Sequence, residues 1–412
     1  DKEIKKSGVE NAYFPLFIPE SLMHKEKDHV EGFAPQLAVV TIGGGEELKE
    51  KLVVRPTSET IMYQSYAKWI QSWRDLPVLI NQWNNVVRWE KRTYLFLRTT
   101  EFLWQEGHCA HATHEESQKR VQWGIEIYAQ IYRDFLALPG IIGRKSESEK
   151  FAGGNATLTY EILMPEGKAL QGCTSHDLGQ NFSKAQNIKF QDKAGKNQFV
   201  WQNSWGFSTR SIGAMLMAHG DDAGLVLPPK VASTQVVIIP VNQDEEVLAA
   251  AQKLAEGLGD VRVKVDTRDG ESLGFKINKW ELRGVPLRIE VGKREIESGK
   301  FKMVRRDTGE VVEGEVGKIL DQIQTDMLAR QEKFLRENIR EVADYEQFKK
   351  IMESRKGFIK AFWCEDADCE TKIKEETKAS TRCLPLDAKD EEGKCVQCGN
   401  PAKHRWLFAL AY

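Results

Sequence analysis

At 412 residues the chain is too long for one hydrophobic core and predicts two or three domains. Charged residues at 29% and hydrophobic ones at 41% describe an ordinary globular protein, and a net charge of −2 excludes a uniformly basic nucleic-acid coat without excluding a local basic patch. No apolar run approaches the ~20 residues that span a bilayer, so a membrane role is not expected. The charged opening DKEIKKSGVE has no signal-peptide core, which predicts a cytoplasmic setting. It reads as mid-helix and lacks an initiator Met, so an upstream piece is expected to be missing.

In chain order, YFPLFI and KLVVRP read as strands, and TSETIMYQSYAKWIQSW opens with hydroxyl caps and continues as a helix. Gly43 to Gly45 form a flexible turn rather than a phosphate cradle, because no Gly-Lys-Ser/Thr follows. The stretch 84–104, NNVVRWEKRTYLFLRTTEFLW, reads as a hairpin. Side chains on a strand repeat on one face every two residues, which predicts Arg88 with Glu90 on one strand and Arg98, Thr100 and Phe102 on the return strand. Two guanidinium forks, a carboxylate and an aromatic plane suit a nucleoside triphosphate held without a Gly-rich loop. Thr113-His-Glu-Glu116 is a capping-box pattern, with Val121, Ile125, Tyr128, Ile131 and Phe135 following at helical spacing. The paired prolines of Leu225-Val-Leu-Pro-Pro229 mark a boundary. Beyond them strands (VASTQVVIIPV, RVKVDTR, VPLRIEVG, FKMVRRD) and the helix DEEVLAAAQKLAEGLG predict a small α/β domain. A charged helical segment, QEKFLRENIREVADYEQFKKIME, leads into a cysteine-rich tail.

Five of the seven cysteines crowd that tail. With no secretion signal, reduced thiols are the expectation. Cys364-x4-Cys369 and Cys395-x2-Cys398 form two knuckle-like pairs whose thiolates can complete a tetrahedral Zn²⁺ site at ~2.3 Å per sulfur. Four thiolates leave no open position, which makes the site a structural clamp. Cys383 is spare and could replace one ligand. His108, His111 and His114 recur every three residues, but they begin where a strand ends, so a shared metal-binding face is not the favoured reading.

The segments VRPTSET (54–60), VVRWE (86–90), FLRTTEFLWQEGH (96–108), LQGCTSHDLGQNF (170–182), NSWGFSTRSIGAM (203–215) and HGDDAGLVLPP (219–229) together resemble the prolyl-tRNA synthetases of archaeal/eukaryotic-like type, and the resemblance runs from residue 1 to Tyr412. It implies an α+β multidomain protein: a class II synthetase catalytic domain on an antiparallel sheet (1–229), an α/β anticodon-binding domain (230–328) and a small C-terminal zinc-binding α/β domain (329–412). It implies L-proline, ATP and tRNA(Pro) as substrates, Mg²⁺ with ATP, a structural Zn²⁺ on Cys364, Cys369, Cys395 and Cys398, and a homodimer whose interface contains the first motif, with its proline at Pro15.

By the same resemblance, Thr57 and Glu59 hold the substrate proline, with Glu59 meeting its secondary ammonium, and His176 lines the pocket. Phe102 and Trp104 supply apolar walls, although aromatics on strands as often pack into a core. Arg88 bridges the α-phosphate and the proline carboxylate. Glu90 accepts from the adenine amine, Arg98 and Thr99 reach the nucleotide, Gln171 and Thr174 lie near ribose or phosphate, and Ser208 and Arg210 complete the ATP site. The third motif keeps a single glycine in Trp205-Gly-Phe-Ser-Thr-Arg210. The stretch between Arg88 and Arg210 leaves no room for a large editing domain, so misactivation of alanine or cysteine is expected. Lys276, Lys279, Arg283, Arg288, Arg305 and Arg306, with Phe275 and Trp280, offer a basic, partly aromatic surface for anticodon bases, against which stands a solvated sheet edge.

Two other classes of function compete with this reading. A synthetase-derived adaptor would keep the fold but lose the phosphate arginines, which are present here. A zinc-dependent nucleic-acid module would explain the tail alone. A threonyl- or histidyl-type relative is the nearest rival enzyme, and TSE with TSH favours proline.

Overall fold

The computed structural model describes residues 1–23, 37–354 and 356–412. The chain divides into two compact units that interleave along the sequence. The first comprises 1–129, 140–213 and 338–412, and the second 130–139 and 214–337.

In the first unit, β1 (Glu10–Asn11), β2 (Phe17–Pro19), β3 (Ala38–Gly43) and β4 (Glu46–Val54) precede α1 (Glu59–Trp69). Then come β5 (Val78–Val87), β6 (Glu101–His111), α2 (His114–Gln130), β7 (Ile141–Arg144), β8 (Ala156–Leu163), β9 (Ala169–Gly179), the hairpin β10 (Lys189–Gln191) and β11 (Asn197–Phe199), β12 (Trp201–Ser208) and the start of α3 (Arg210–His219). β2, β3 and β4 form a small separate sheet. The large sheet has the order β1-β5-β6-β12-β9-β8-β7 and is antiparallel throughout apart from the β1–β5 pair.

That sheet continues into the C-terminal segment, where β18 (Ile339–Glu341), α7 (Tyr345–Ser354), β19 (Phe358–Trp363), α8 (Ala367–Thr377), β20 (Ser380–Pro385), the separate pair β21 (Gly393–Lys394) and β22 (Pro401–Ala402), and β23 (His404–Ala409) follow the second unit in sequence. β7 pairs with β20 through Gly143–Pro385 and Arg144–Leu384, which extends the sheet to eleven strands in the order β7-β20-β23-β19-β18. Phe348, Met352, Trp363, Ile373, Trp406 and Phe408 form the core beneath this extension.

The second unit contains β13 (Val236–Pro240), α4 (Glu245–Glu256), β14 (Val263–Val265), α5 (Leu273–Leu282), β15 (Leu287–Val291), β16 (Lys302–Arg305), β17 (Val311–Val312) and α6 (Val316–Glu337). Its sheet has the order β14-β13-β15-β16-β17, parallel among the first three and antiparallel beyond. The near-continuous apolar run of β13 is buried on both faces, as covered parallel strands are. Ile238, Val247, Ile289, Ile319 and Met327 meet in its core.

Three local expectations change. The segment expected as one charged helix divides: α6 ends at Glu337, β18 intervenes, and α7 begins at Tyr345. Edge pairing with β19 outweighs the helical charge pattern there. Ser58 stands at the start of α1 but does not cap it with its hydroxyl, which goes to the buried Glu106. The expected arginine hairpin is shorter than its pattern, since β5 ends at Val87 and β6 begins at Glu101. Arg88, Glu90, Arg98 and Thr99 therefore sit on the connecting loop, where one further rung (Arg88 N–H to Thr100 O, 2.8 Å) and a Tyr94–Arg98 bridge hold the chain. Among the described residues no helix is long and apolar enough to cross a membrane.

Candidate active site

Strand alternation divides the central residues between two faces. On β6, Gln105, Gly107 and Cys109 turn toward α2, while Trp104, Glu106 and His108 line a cavity of about 230 Å³ on the other face. On β12, Trp205 packs edge-to-face on Trp123 of α2, and Phe207 stacks on Tyr128. Ser204 and Gly206 line the cavity. On β9, Thr174 and His176 face it, while the Ser175 hydroxyl donates to the Val121 carbonyl of α2 at 2.8 Å. Strict alternation would turn Gln171 away from Thr174. A register shift where Glu161 pairs with Gln171 and Tyr160 with Cys173 leaves Gly172 extra, and Gln171 returns to the cavity face.

Around this cavity the charges are ordered. Glu106, 2% exposed, receives the hydroxyl of Ser58 and the amides of Gln82 (3.1 Å) and Asn84 (2.6 Å), and its other oxygen meets His108 Nε2 at 2.9 Å. Glu59 opens α1, takes the Thr57 hydroxyl, and lies 4.0 Å from His108 Nδ1. Burial disfavours a charged His108, but Glu59 and Glu106 outweigh it and raise its pKa. His176 behaves oppositely: burial pulls it down to about 4, so the ring is neutral near pH 7. Both its nitrogens meet hydroxyls at 2.9 Å, Thr157 at Nδ1 and Thr174 at Nε2. Phe151 packs against the same imidazole with centroids 4.5 Å apart. The Ser204 hydroxyl and the Trp104 indole N–H find no partner among the described residues.

Arg88 reaches the cavity from the loop. Its Nε donates to the Pro56 carbonyl at 3.0 Å, and its guanidinium lies 5.4 and 5.5 Å from the rings of Phe102 and Trp104. Burial lowers its pKa to about 10, with Glu59 opposing and Arg210 adding to the drop. It remains a cation at neutral pH. Phe102 does not itself line the cavity; it packs edge-to-face on Trp104 and supports the guanidinium from behind.

A second cavity, about 470 Å³, shares Glu149 and Gln171 with the first and carries Arg98, Arg210, Lys374 and Lys378. Arg210 starts α3 and is aimed by the Leu97 carbonyl (2.9 Å from Nε) and the Gln171 carbonyl (3.3 Å from Nη1). Glu90 lies 3.8 Å from Arg98. The Thr99 hydroxyl donates to the Glu101 carbonyl at 2.6 Å, and Ser208 Oγ accepts from Arg210 N–H at 3.3 Å, so both brace backbone. The structure thus brings Thr57, Glu59, Arg88, Trp104, Gln171, Thr174 and His176 to one cavity, and Arg98 and Arg210 to its neighbour.

Sequence reasoning missed Glu106, His108, Lys150, Phe151, Thr157 and Ser204. Period-two spacing from Trp104 could have found Glu106 and His108; nothing local marks the others. His108 and His111, three apart on β6, point to opposite faces, and His114 instead contacts Asp177 at 3.1 Å.

In the tail, the Sγ atoms of Cys364, Cys369, Cys395 and Cys398 all lie within 4.8 Å of one another, with Cys364 and Cys398 at 3.7 Å. A tetrahedron with metal–sulfur bonds of ~2.3 Å has edges of about 3.8 Å, so the four thiols fit such an ion. Cys383 is buried on β20 and is not part of the cluster.

The expected anticodon surface is mostly paired within its own unit. Arg288 binds Glu281 (2.6 Å) and Glu290 (3.2 Å), Arg305 binds Asp307 and Asp326 (both 2.8 Å), and Arg306 binds Asp221 (2.5 Å). Lys276 is 3% exposed, and Trp280 donates its N–H to Asp266 at 2.7 Å. These five side chains hold the unit together, because a buried cation or indole N–H needs a partner. Phe275 and Arg283 stay exposed, Lys279 partly so.

Residues 40–219 match the class II core domain of tRNA synthetases (G, H, P, S and T), residues 235–326 the anticodon binding domain, and residues 345–412 the C-terminal domain of prolyl-tRNA synthetase. Curated relatives named proline–tRNA ligase align over the whole chain: one from Chlorobium luteolum at 53% identity and one from Chloroherpeton thalassium at 52%, each covered over 89% of its length. One from Natranaerobius thermophilus is 49% identical over 88% of its length. The chain belongs to the proline–tRNA ligase family. As a family member it combines a class II core, an anticodon-binding domain and the C-terminal domain in one α+β chain.

Proposed function

We propose that the chain ligates L-proline to tRNA(Pro) through a prolyl-adenylate, with release of AMP and pyrophosphate. The observation that carries this reading is the convergence of Thr57, Glu59, Arg88 and His176, from three separate segments, on one cavity beside a second one lined by Arg98 and Arg210. Glu59 receives the secondary ammonium of proline, a charge-assisted contact. Neutral His176, Trp104 and Phe151 enclose the ring. Arg88 lies between the two subsites and holds the proline carboxylate against the α-phosphate. Arg98, Gln171 and Arg210 form the ATP side, with Glu90 beside Arg98, Thr99 and Ser208 bracing the backbone there, and Thr174 on the wall between it and His176.

The carboxylate of proline attacks the α-phosphorus in line, the bond to the β-phosphate oxygen breaks, and pyrophosphate departs. A terminal ribose hydroxyl of the tRNA then attacks the acyl carbon of the mixed anhydride, and AMP leaves. The protein contributes positioning and neutralisation of growing phosphate charge through Arg88, Arg98 and Arg210. Mg²⁺ bound with ATP adds to that neutralisation. Zn²⁺ is the ion proposed for the four cysteines, in a structural role. The division into a catalytic segment (1–229), an anticodon-binding segment (230–328) and a zinc-binding segment (329–412), a homodimer, and a cytoplasmic setting belong to the same reading.

ATP–pyrophosphate exchange with a panel of amino acids tests it. Exchange should be strongest with proline and weaker but measurable with alanine and cysteine. Exchange with threonine or histidine and none with proline would overturn the reading.

A further inference from the structure

The four-cysteine cluster and the amino-acid cavity are joined by one helix. Asp366 caps α8 by accepting from the N–H groups of Asp368 (3.0 Å) and Cys369 (3.1 Å), which fixes the Cys369 thiol in the first turn. The next residue, Glu370, is 6% exposed and accepts hydroxyls from Ser146 (2.9 Å), Ser148 and Thr381. One turn on, Lys374 pairs with Glu149 at 3.2 Å. Residues four apart share a helix face, so Glu370 and Lys374 grip the same segment together.

That segment ends in the cavity wall. Glu149, Lys150 and Phe151 line the amino-acid cavity. The Phe151 N–H donates to Thr157 Oγ1 at 2.9 Å, and the same hydroxyl meets His176 Nδ1 at 2.9 Å. A buried carboxylate serving three hydroxyls on two different elements is costly as mere packing, where apolar side chains would serve as well. It does fix the register of what it holds.

We infer that Glu370 is a positioning residue for the amino-acid half of the site, through which the cysteine clamp sets the placement of Phe151 and His176. The inference rests on the proline reading above. With a metal held by all four thiolates, Cys369 tethers the first turn of α8. Glu370 then holds Ser146 and Ser148, and the wall at Phe151 is set. Loosening either link frees that wall and leaves Arg98 and Arg210 in place.

The full chain is compared with Glu370→Ala and Glu370→Gln by amide hydrogen exchange and by pyrophosphate exchange. In Glu370→Ala, peptides covering 145–157 should exchange faster, and KM for proline should rise about tenfold while KM for ATP stays within about twofold, the scale set by groups that orient a site indirectly. Glu370→Gln keeps an acceptor oxygen and should fall between. Removing metal from the native protein with a chelator should speed exchange over 145–157 in the same way and add little in Glu370→Ala. Unchanged protection and unchanged proline KM in a folded Glu370→Ala would overturn the inference, as would an ATP KM that rises in step. Should that variant fail to fold, Ser148→Ala decides: a smaller rise in proline KM alone supports the inference, and no rise overturns it. If the native chain activates another amino acid, the proline reading fails, while hydrogen exchange over 145–157 still judges Glu370.

Discussion

At the scale of single residues, burial and charge divide the histidines into two classes. Burial holds His111, His176 and His219 at about 4, against 6.5 for the free side chain. Each is neutral when folded, whereas the unfolded chain takes up its proton below 6.5, so stability falls as pH drops from 6.5 toward 4. His108 and His404, raised by neighbouring carboxylates, act with the opposite sign: they stabilise below 6.5 and lose that contribution as pH rises through their folded values. The three rings held at about 4 are a source of falling Tm between about pH 7 and about pH 5. His176→Asn should make that decline shallower, and an unchanged slope would contradict the assignment. Arg88 carries the sharpest functional expectation. Arg88→Ala removes a guanidinium from the amino-acid cavity and, on the proposed bridging role, should lower proline-dependent exchange by at least about 10³-fold. Circular dichroism of the variant should stay native, and surviving exchange would reject the bridging role.

At the scale of elements, the site depends on faces. Gly107 stands opposite Trp205 in the β6–β12 ladder, and a Cβ on Gly107 would come within 2.1 Å of that indole, which is 1% exposed. The neighbouring backbone and the wall formed by α2 leave the ring nowhere to move. Gly107→Ala should therefore cost about 1–3 kcal/mol or more by overpacking, read as a lower denaturation midpoint, and should disturb Glu106 and His108 on either side. A midpoint equal to that of the native chain would show that the indole can shift. Thr174, His176 and Gln171 are all named through family resemblance; period two explains why Thr174 and His176 share a face of β9, and the bulge at Gly172, which arises from pairing with β8, explains why Gln171 joins them. The arginine hairpin failed for a related reason. Alternation in RWE and LRTTEF reads as strand, but the ladder loses regular pairing after Val87, and the basic loop between Arg88 and Thr100 is held by the Arg88 contact to Pro56 and the Arg210 contact to Leu97.

At the scale of the molecule, the C-terminal segment is bound to the central sheet by charge as well as by strand pairing. Glu161, fully buried, meets Lys145 at 2.9 Å and Arg382 at 2.8 Å. Burial would raise its pKa, but Arg382 and Lys145 together bring it down to about 2. Its stabilisation is present above the ordinary carboxylate value of 4.5 and is lost as pH falls toward 2. Glu161→Met leaves two cations buried without their carboxylate and should destabilise by about 3–5 kcal/mol. Chemical denaturation measures it, and a change below about 1 kcal/mol would mean that Lys145 and Arg382 find water or other partners.

Motif spacing was enough to reach the family and the paired cysteines, because it is a local property of the chain, and the resemblance carried by those motifs named Thr57, Glu59, Arg88, Gln171, Thr174 and His176. Tertiary structure alone decided which cations are available. Arg288, Arg305 and Arg306 read as a binding surface, but carboxylates hold all three, Glu281 and Asp307 from nearby in the chain and Asp326 and Asp221 from far along it. It alone supplied Phe151, Thr157 and Glu370, which carry no motif and act through neighbours brought together by folding. It also joined residues 338–412 to the sheet that carries the site, through a pairing of β7 with β20 that no spacing in the chain encodes.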